Sequence, residues 1–180
     1  MRLLKENTLL LVIDVQEKIF ATMHEQIDTE ANIIRLIKGA KALDIPIVWT
    51  EQYTKGLGRT IKSVRNALQD YKVMEKKAFS CMGDHSIKNR IKSYGKKQIL
   101  ICGIEAHICV YQTALDLMER NLDVYIASDA VMSRKKLNYH LALERLRDIG
   151  AKITSVEMAL FEIQKVAEGD TFKVIAELIK

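Results

Sequence analysis

Proline occurs once in this chain of 180 residues, at Pro46, and cysteine three times. Prolines so scarce leave few rigid turns, and no collagen-like repeat can be built from them. An odd number of thiols does not make the paired framework of a small secreted domain. No apolar run approaches the ~20 residues that span a bilayer. The opening Met1-Arg2-Leu3-Leu4-Lys5-Glu6-Asn7 lacks the apolar stretch and cleavage site of a secretory signal. Together these absences predict a cytoplasmic protein with reduced thiols and no membrane partner. Neither G-x-G-x-x-G nor G-x-x-x-x-G-K-[ST] occurs, so no nucleotide-binding loop is written here. The four histidines (His24, His85, His107, His140) do not have metal-ligand spacing, so neither zinc nor iron is expected and no cofactor is predicted.

What is present is ordinary for a folded domain: 48% hydrophobic and 28% charged residues, with a net charge of +5. The length suits one domain, residues 1–180. Short apolar runs occur at 8–13, 45–49 and 98–102, with weaker ones at 72–74, 123–127 and 151–154. Residues that are apolar consecutively suit strands buried on both faces. Between them lie helical stripes: Ile33, Ile34, Ile37, Ala40 and Leu43; Val110, Ala114, Leu117 and Met118; Leu141, Leu143, Leu146 and Ile149. Asp84 reads as an N-cap, and Gly95 and Gly150 as left-handed helix ends. This alternation predicts an α/β fold, a three-layer α/β/α sandwich around a mostly parallel, Rossmann-like sheet of about six strands. Residues 155–180 read as further helix.

Ligands of such sheets bind at the carboxyl ends of strands. Asp14 directly follows the first run, where an acid is either a solvated or capping residue or a functional carboxylate. Cys109 follows the run at 98–102 in the first turn of the next helix. There the backbone N–H groups would lower a thiol's pKa, although a buried structural cysteine fits equally. Lys76 leaves the run at 72–74; beside a carboxylate and a thiol, its charge would stabilise both the thiolate and developing negative charge. Cys102 reads as core, and Cys81 carries no assigned role.

The three segments taken together resemble the isochorismatase-like cysteine hydrolase superfamily across nearly the whole chain. Leu11-Val12-Ile13-Asp14-Val15-Gln16 is similar to its Asp-x-Gln element. Lys76-Lys77-Ala78-Phe79-Ser80 is similar to its Lys-x-x-Phe-Ser element, and residues 103–110 with Gln112-Thr113 to its nucleophile turn. The resemblance implies a catalytic triad of Asp14, Lys76 and Cys109. It also implies a cis peptide before Glu105, with the N–H groups of Glu105 and Cys109 forming an oxyanion hole. The implied reaction is cysteine-dependent hydrolysis of a small amide or carbamoyl substrate through a thioester.

The stretch Trp49-Thr50-Glu51-Gln52-Tyr53 lacks the Asp-x-His metal motif of nicotinamidases, and the presence of Cys109 departs from true isochorismatases. The metal-free isochorismatase-domain branch is the better match. Gln16, Phe20, Trp49, Gln52, Tyr53, Phe79 and His107 are candidate substrate-binding residues. A homo-oligomer is expected from the resemblance. A competing reading is a catalytically idle scaffold that assembles through helices such as the apolar stretch 156–163. Nucleic-acid binding is not expected, because the lysines are interleaved with acids and no zinc-finger or RNP-like motif accompanies them.

Overall fold

The computed structural model describes residues 2–180. Six strands form one sheet: β1 (Thr8–Ile13), β2 (Ile47–Gln52), β3 (Val73–Lys76), β4 (Gln98–Ile104), β5 (Asp123–Met132) and β6 (Lys152–Thr154). Their spatial order is β3-β2-β1-β4-β5-β6, and every neighbouring pair is parallel. The helices are α1 (Glu17–Phe20), α2 (Gln26–Ala42), α3 (Thr54–Leu57), α4 (Lys62–Ala67), α5 (His85–Ser93), α6 (Tyr111–Met118), α7 (Lys136–Asp148), α8 (Val156–Gln164) and α9 (Gly169–Ile179). The doubly wound α/β/α architecture is the one that the strand–helix alternation predicts.

β1 shows why the strands read as unbroken apolar runs. Leu10 and Val12 pack with α2, α8 and α9, whereas Leu9, Leu11 and Ile13 face α5, α6 and α7. Each of these five side chains is fully buried, a gain of about 1.5–3 kcal/mol apiece. Side chains alternate between faces with a period of two, so a sheet covered on both sides needs apolar residues at every position.

Three expectations need correction. Leu141 and Ile149 are exposed at 50% and 44%, because α7 buries the arc carrying Ala142, Leu143 and Leu146. β5 runs five residues beyond the apolar segment: its pairing with β4 slips after Ile101 and re-forms at Gly103–Val131 and Ile104–Met132. The apolar stretch 156–163 is not free for assembly, since Val156, Ala159, Leu160 and Ile163 of α8 are buried in the core. A Cβ on Gly39 of α2 would lie 2.5 Å from Leu160, so the two helices pack closely. The helix ends follow the sequence reading. Asp84 accepts from the N–H groups of Ser86 and Ile87, and Gly95 and Gly150 are left-handed. Among the described residues no helix is long and apolar enough to cross a membrane.

Gly103 is set by close approach. It pairs with Ile13 where β1 and β4 lie side by side, with φ at 118°, and a Cβ there would sit 2.0 Å from the Ile13 carbonyl oxygen. No other residue fits. This is also where the strand order reverses, the crevice at which open parallel sheets place ligands.

Candidate active site

β1 and β4 are the two strands at the reversal point, and each is followed by a candidate residue. Asp14 comes immediately after β1 with φ at 51°, a left-handed conformation that Asp tolerates better than most residues. Its side chain is buried and fully engaged. Oδ1 accepts from Thr50 Oγ1 at 2.8 Å, and Oδ2 accepts from Lys76 Nζ at 2.5 Å. Lys76 closes β3 with its side chain 0% exposed, whereas Lys77 points to solvent. The ammonium gives its other two hydrogens to the carbonyls of Ala78 and Phe79, at 3.2 and 3.0 Å. Burial alone would push the Lys76 pKa down. The Asp14 carboxylate, as a charge and as a hydrogen-bond acceptor, leads the effects that outweigh burial and hold it above the ordinary lysine value.

After β4 the Ile104–Glu105 peptide is cis, and the chain enters a π-helical turn, Ala106–Val110, before α6. The N–H groups of Ile108 and Val110, on either side of Cys109, both donate to the Glu105 carbonyl, at 3.1 and 3.2 Å. Cys109 is only 6% exposed. Its thiol donates to Gln52 Oε1 at 3.0 Å and has Asp14 as a second acceptor in reach. Here the structure reverses an expectation. Burial first, then the Asp14 charge, push the Cys109 pKa up despite the opposing charge of Lys76. The resting sulfur is therefore a neutral thiol, and desolvation outweighs the backbone dipoles of the turn.

Cys109 lines a cavity of about 350 Å³ together with Ile19, Gln52, Tyr53, Leu57, Phe79, Glu105, Ile108 and Arg134. That is a volume for a small molecule. Gln52, Tyr53 and Phe79 are there as expected, and four other candidates are not. Gln16 is fully buried. Its side chain accepts from the Gln52 N–H at 2.7 Å and donates to the Gln52 and Gly58 carbonyls at 3.0 and 2.7 Å, pinning the loop. Phe20 and Trp49 belong to the core, and the Trp49 indole donates to Thr60 at 2.9 Å. His107 is half-buried away from the sulfur, with Nδ1 at 2.9 Å from Ser133 and Nε2 at 3.3 Å from Asn138. Burial lowers its pKa.

Thr50 and Arg134 were missed. Thr50 is fully buried one strand away from Asp14, and nothing in the apolar pattern marks such a residue. Arg134 lies beyond the β5 bulge, so its approach to Cys109 depends on the length of that bulge. Its N–H and Nε donate to Glu105 Oε2 at 3.0 and 3.1 Å, which leaves the end of the guanidinium at the cavity. Cys81 is buried in the turn Cys81–Gly83, its sulfur 3.9 Å from Thr50 Oγ1. Burial and Asp14 push its thiol up to about 11.

The topology defines a doubly wound, all-parallel α/β protein with an acid, a lysine and a cysteine gathered at the reversal of its sheet. A model of the isochorismatase domain matches residues 8–158, and the chain belongs to the isochorismatase family as a hydrolase-like member. A secreted isochorismatase effector, Isc1 of Phytophthora sojae, is 39% identical over 99% of this chain and 87% of its own length. The structure named MAR1 ribonuclease from Caenorhabditis elegans is 33% identical, with a TM-score of 0.93 over 99% of this chain and 92% of that one. The YcaC gene product of Escherichia coli, described as an octameric hydrolase of unknown specificity, shares the fold at a TM-score of 0.94 and 22% identity. The match covers 99% of this chain and 89% of that one.

Proposed function

We propose that this protein is a cysteine-dependent amidohydrolase acting on a small amide or carbamoyl compound, with Asp14, Lys76 and Cys109 as its triad. The observation that carries the reading is the fully buried Asp14–Lys76 pair beside a neutral thiol that opens into a small cavity. A charged pair is costly to bury, and a positioned base next to a nucleophile is the arrangement that uses it.

In this mechanism Asp14 takes the thiol proton as Cys109 Sγ bonds to the substrate carbonyl carbon and the C=O electron pair moves onto oxygen. The N–H groups of Glu105 and Cys109 hold that oxyanion, with Lys76 keeping the charge balanced. Collapse breaks the C–N bond, and Asp14 returns the proton to the leaving nitrogen. A water molecule, deprotonated by Asp14, then attacks the thioester. Sulfur leaves, is reprotonated, and the acid departs. The free end of the Arg134 guanidinium suits an anionic group on the substrate, and Ile19, Leu57 and Ile108 suit an apolar body.

The test is a screen of small amides and ureido acids, reading ammonia release and the intact mass of the protein. The expected result is an acyl adduct on Cys109 and no turnover by Cys109→Ala or Asp14→Asn. Ammonia release that survives in Cys109→Ala refutes the reading.

The ribonuclease name of the nematode relative raises a second reading. A concavity beside the site is lined by Lys55, Arg59 and Lys77, whose charge Glu75 and Asp84 in the same wall partly offset. We favour the small molecule because the cavity at Cys109 is small and mostly apolar, with Ile19, Leu57, Phe79 and Ile108 in its wall. RNA cleavage that persists in Cys109→Ala would decide for the ribonuclease. We also propose a homo-oligomer, supported by Leu137 and Leu141, 76% and 50% exposed one turn apart on α7. A reduced, cytoplasmic setting is supported by three buried unpaired thiols. Sedimentation and fractionation test these two readings.

A further inference from the structure

The Cys109 thiol has one proton and two acceptors, and the motif residue Gln16 takes no part in the reaction just described. These two facts are connected. Gln16 uses its side-chain oxygen and nitrogen on the main chain of Gln52, at 2.7 and 3.0 Å, which fixes where the Gln52 side chain begins. The far end of that side chain is oriented too. Nε2 donates to the Lys77 carbonyl at 3.4 Å, so Oε1 is the atom turned to the sulfur, 3.0 Å away. Gln52 and Cys109 share the wall of one cavity.

We propose that Gln52 is a latch on the resting nucleophile, opened by an N–H donor on the substrate. The inference rests on Cys109 being the nucleophile. A neutral amide oxygen stabilises S–H and does nothing for a thiolate. While the proton points at Gln52, it is not delivered to Asp14. An arriving primary amide or ureido group gives one of its N–H bonds to Oε1 and displaces the thiol. The S–H then turns to Asp14, the proton passes to the carboxylate, and sulfur bonds to the carbonyl carbon. An ester has no N–H and leaves the latch closed. Gln52 thereby selects nitrogen-bearing acyl groups before any bond is made, and Gln16 is the positioning residue that anchors it.

The experiment measures labelling of Cys109 by iodoacetamide and by methyl iodoacetate, locating adducts by mass spectrometry. Each rate is divided by the rate for N-acetylcysteine with the same reagent. The wild-type protein is expected to favour iodoacetamide by about 2- to 10-fold, the range of one neutral hydrogen bond. Gln52→Met and Gln52→Leu remove the acceptor but keep the main chain that Gln16 holds. In both, labelling by the ester is expected to rise and the preference to vanish. Gln52→Glu keeps an acceptor and is expected to retain the preference. A wild-type ratio near 1 overturns the latch without any variant, as does a ratio unchanged in Gln52→Met. Absence of Cys109 labelling by either reagent at every pH instead overturns the nucleophile on which the inference rests.

Discussion

Replacing Lys76 by Met removes a fully buried cation from a carboxylate that is itself only 3% exposed. At 2.5 Å and an effective dielectric of 20, the attraction lost is about 7 kcal/mol. Removing the ammonium also returns its desolvation cost, several kcal/mol. The carbonyls of Ala78 and Phe79 lose their donor as well, at roughly 1 kcal/mol each. The net loss expected at pH 7 is about 3–5 kcal/mol, the usual result of orphaning one member of a buried pair. The second half of the cycle is more telling. Asp14→Asn in the Lys76→Met background removes the stranded charge, keeps the Thr50 contact, and suits a left-handed position because Asn tolerates φ of 51°. The double variant should therefore regain about 2–3 kcal/mol. Urea unfolding at matched slopes measures all four proteins. A Lys76→Met protein within about 1 kcal/mol of wild type, or a double variant no more stable than the single, refutes the argument.

Gly103→Ala should lose about 3–5 kcal/mol, strain at a positive φ adding to a collision with the Ile13 backbone; a near-native melting temperature contradicts this. Thr50→Val removes a hydrogen bond to a buried carboxylate and should cost about 1.5–3 kcal/mol in urea unfolding, whereas no change would mean that Asp14 is held by Lys76 alone. Stability should fall on the alkaline side. The native state keeps Cys81 protonated to about 11, and unfolded thiols ionise near ~8.5, so the native state binds more protons above that pH. Lys76, raised in the native state, contributes fully below the unfolded lysine value of about 10.4 and loses that contribution as pH rises through its native value. A melting temperature that is flat from pH 8 to 11 counters the Cys81 assignment, and one that does not fall further above pH ~10.4 counters that of Lys76.

Much of the fold was legible because its strands are buried on both faces. Unbroken apolar runs mark β1, the start of β4 and the start of β5, and a cap or a left-handed glycine ends several helices. The misses have physical causes. β2 continues through Thr50, Glu51 and Gln52, polar residues that are buried or half-buried because Asp14, Thr60, Gln16 and Cys109 satisfy them. Hydropathy cannot see a partner supplied by another strand. Leu141 looked like core because it lies close in sequence to the apolar stripe, but the arc that α7 buries excludes it.

The sequence by itself determined the alternation of strand and helix, and it put Asp14, Lys76 and Cys109 just at or after strand ends. Local spacing sufficed for that, because strand ends are marked by where apolar runs stop. The spacing to Phe79 already chose Lys76 over Lys77; only the tertiary structure decided that this lysine is buried against Asp14, and that the scarce cysteines are three buried thiols with Cys109 held neutral at rest. It alone brought Thr50 and Arg134 to the site and took Gln16, Phe20, Trp49 and His107 out of the cavity wall. These outcomes depend on desolvation and on partners 29 to 62 positions apart in the chain. Such quantities exist only once the sheet is assembled.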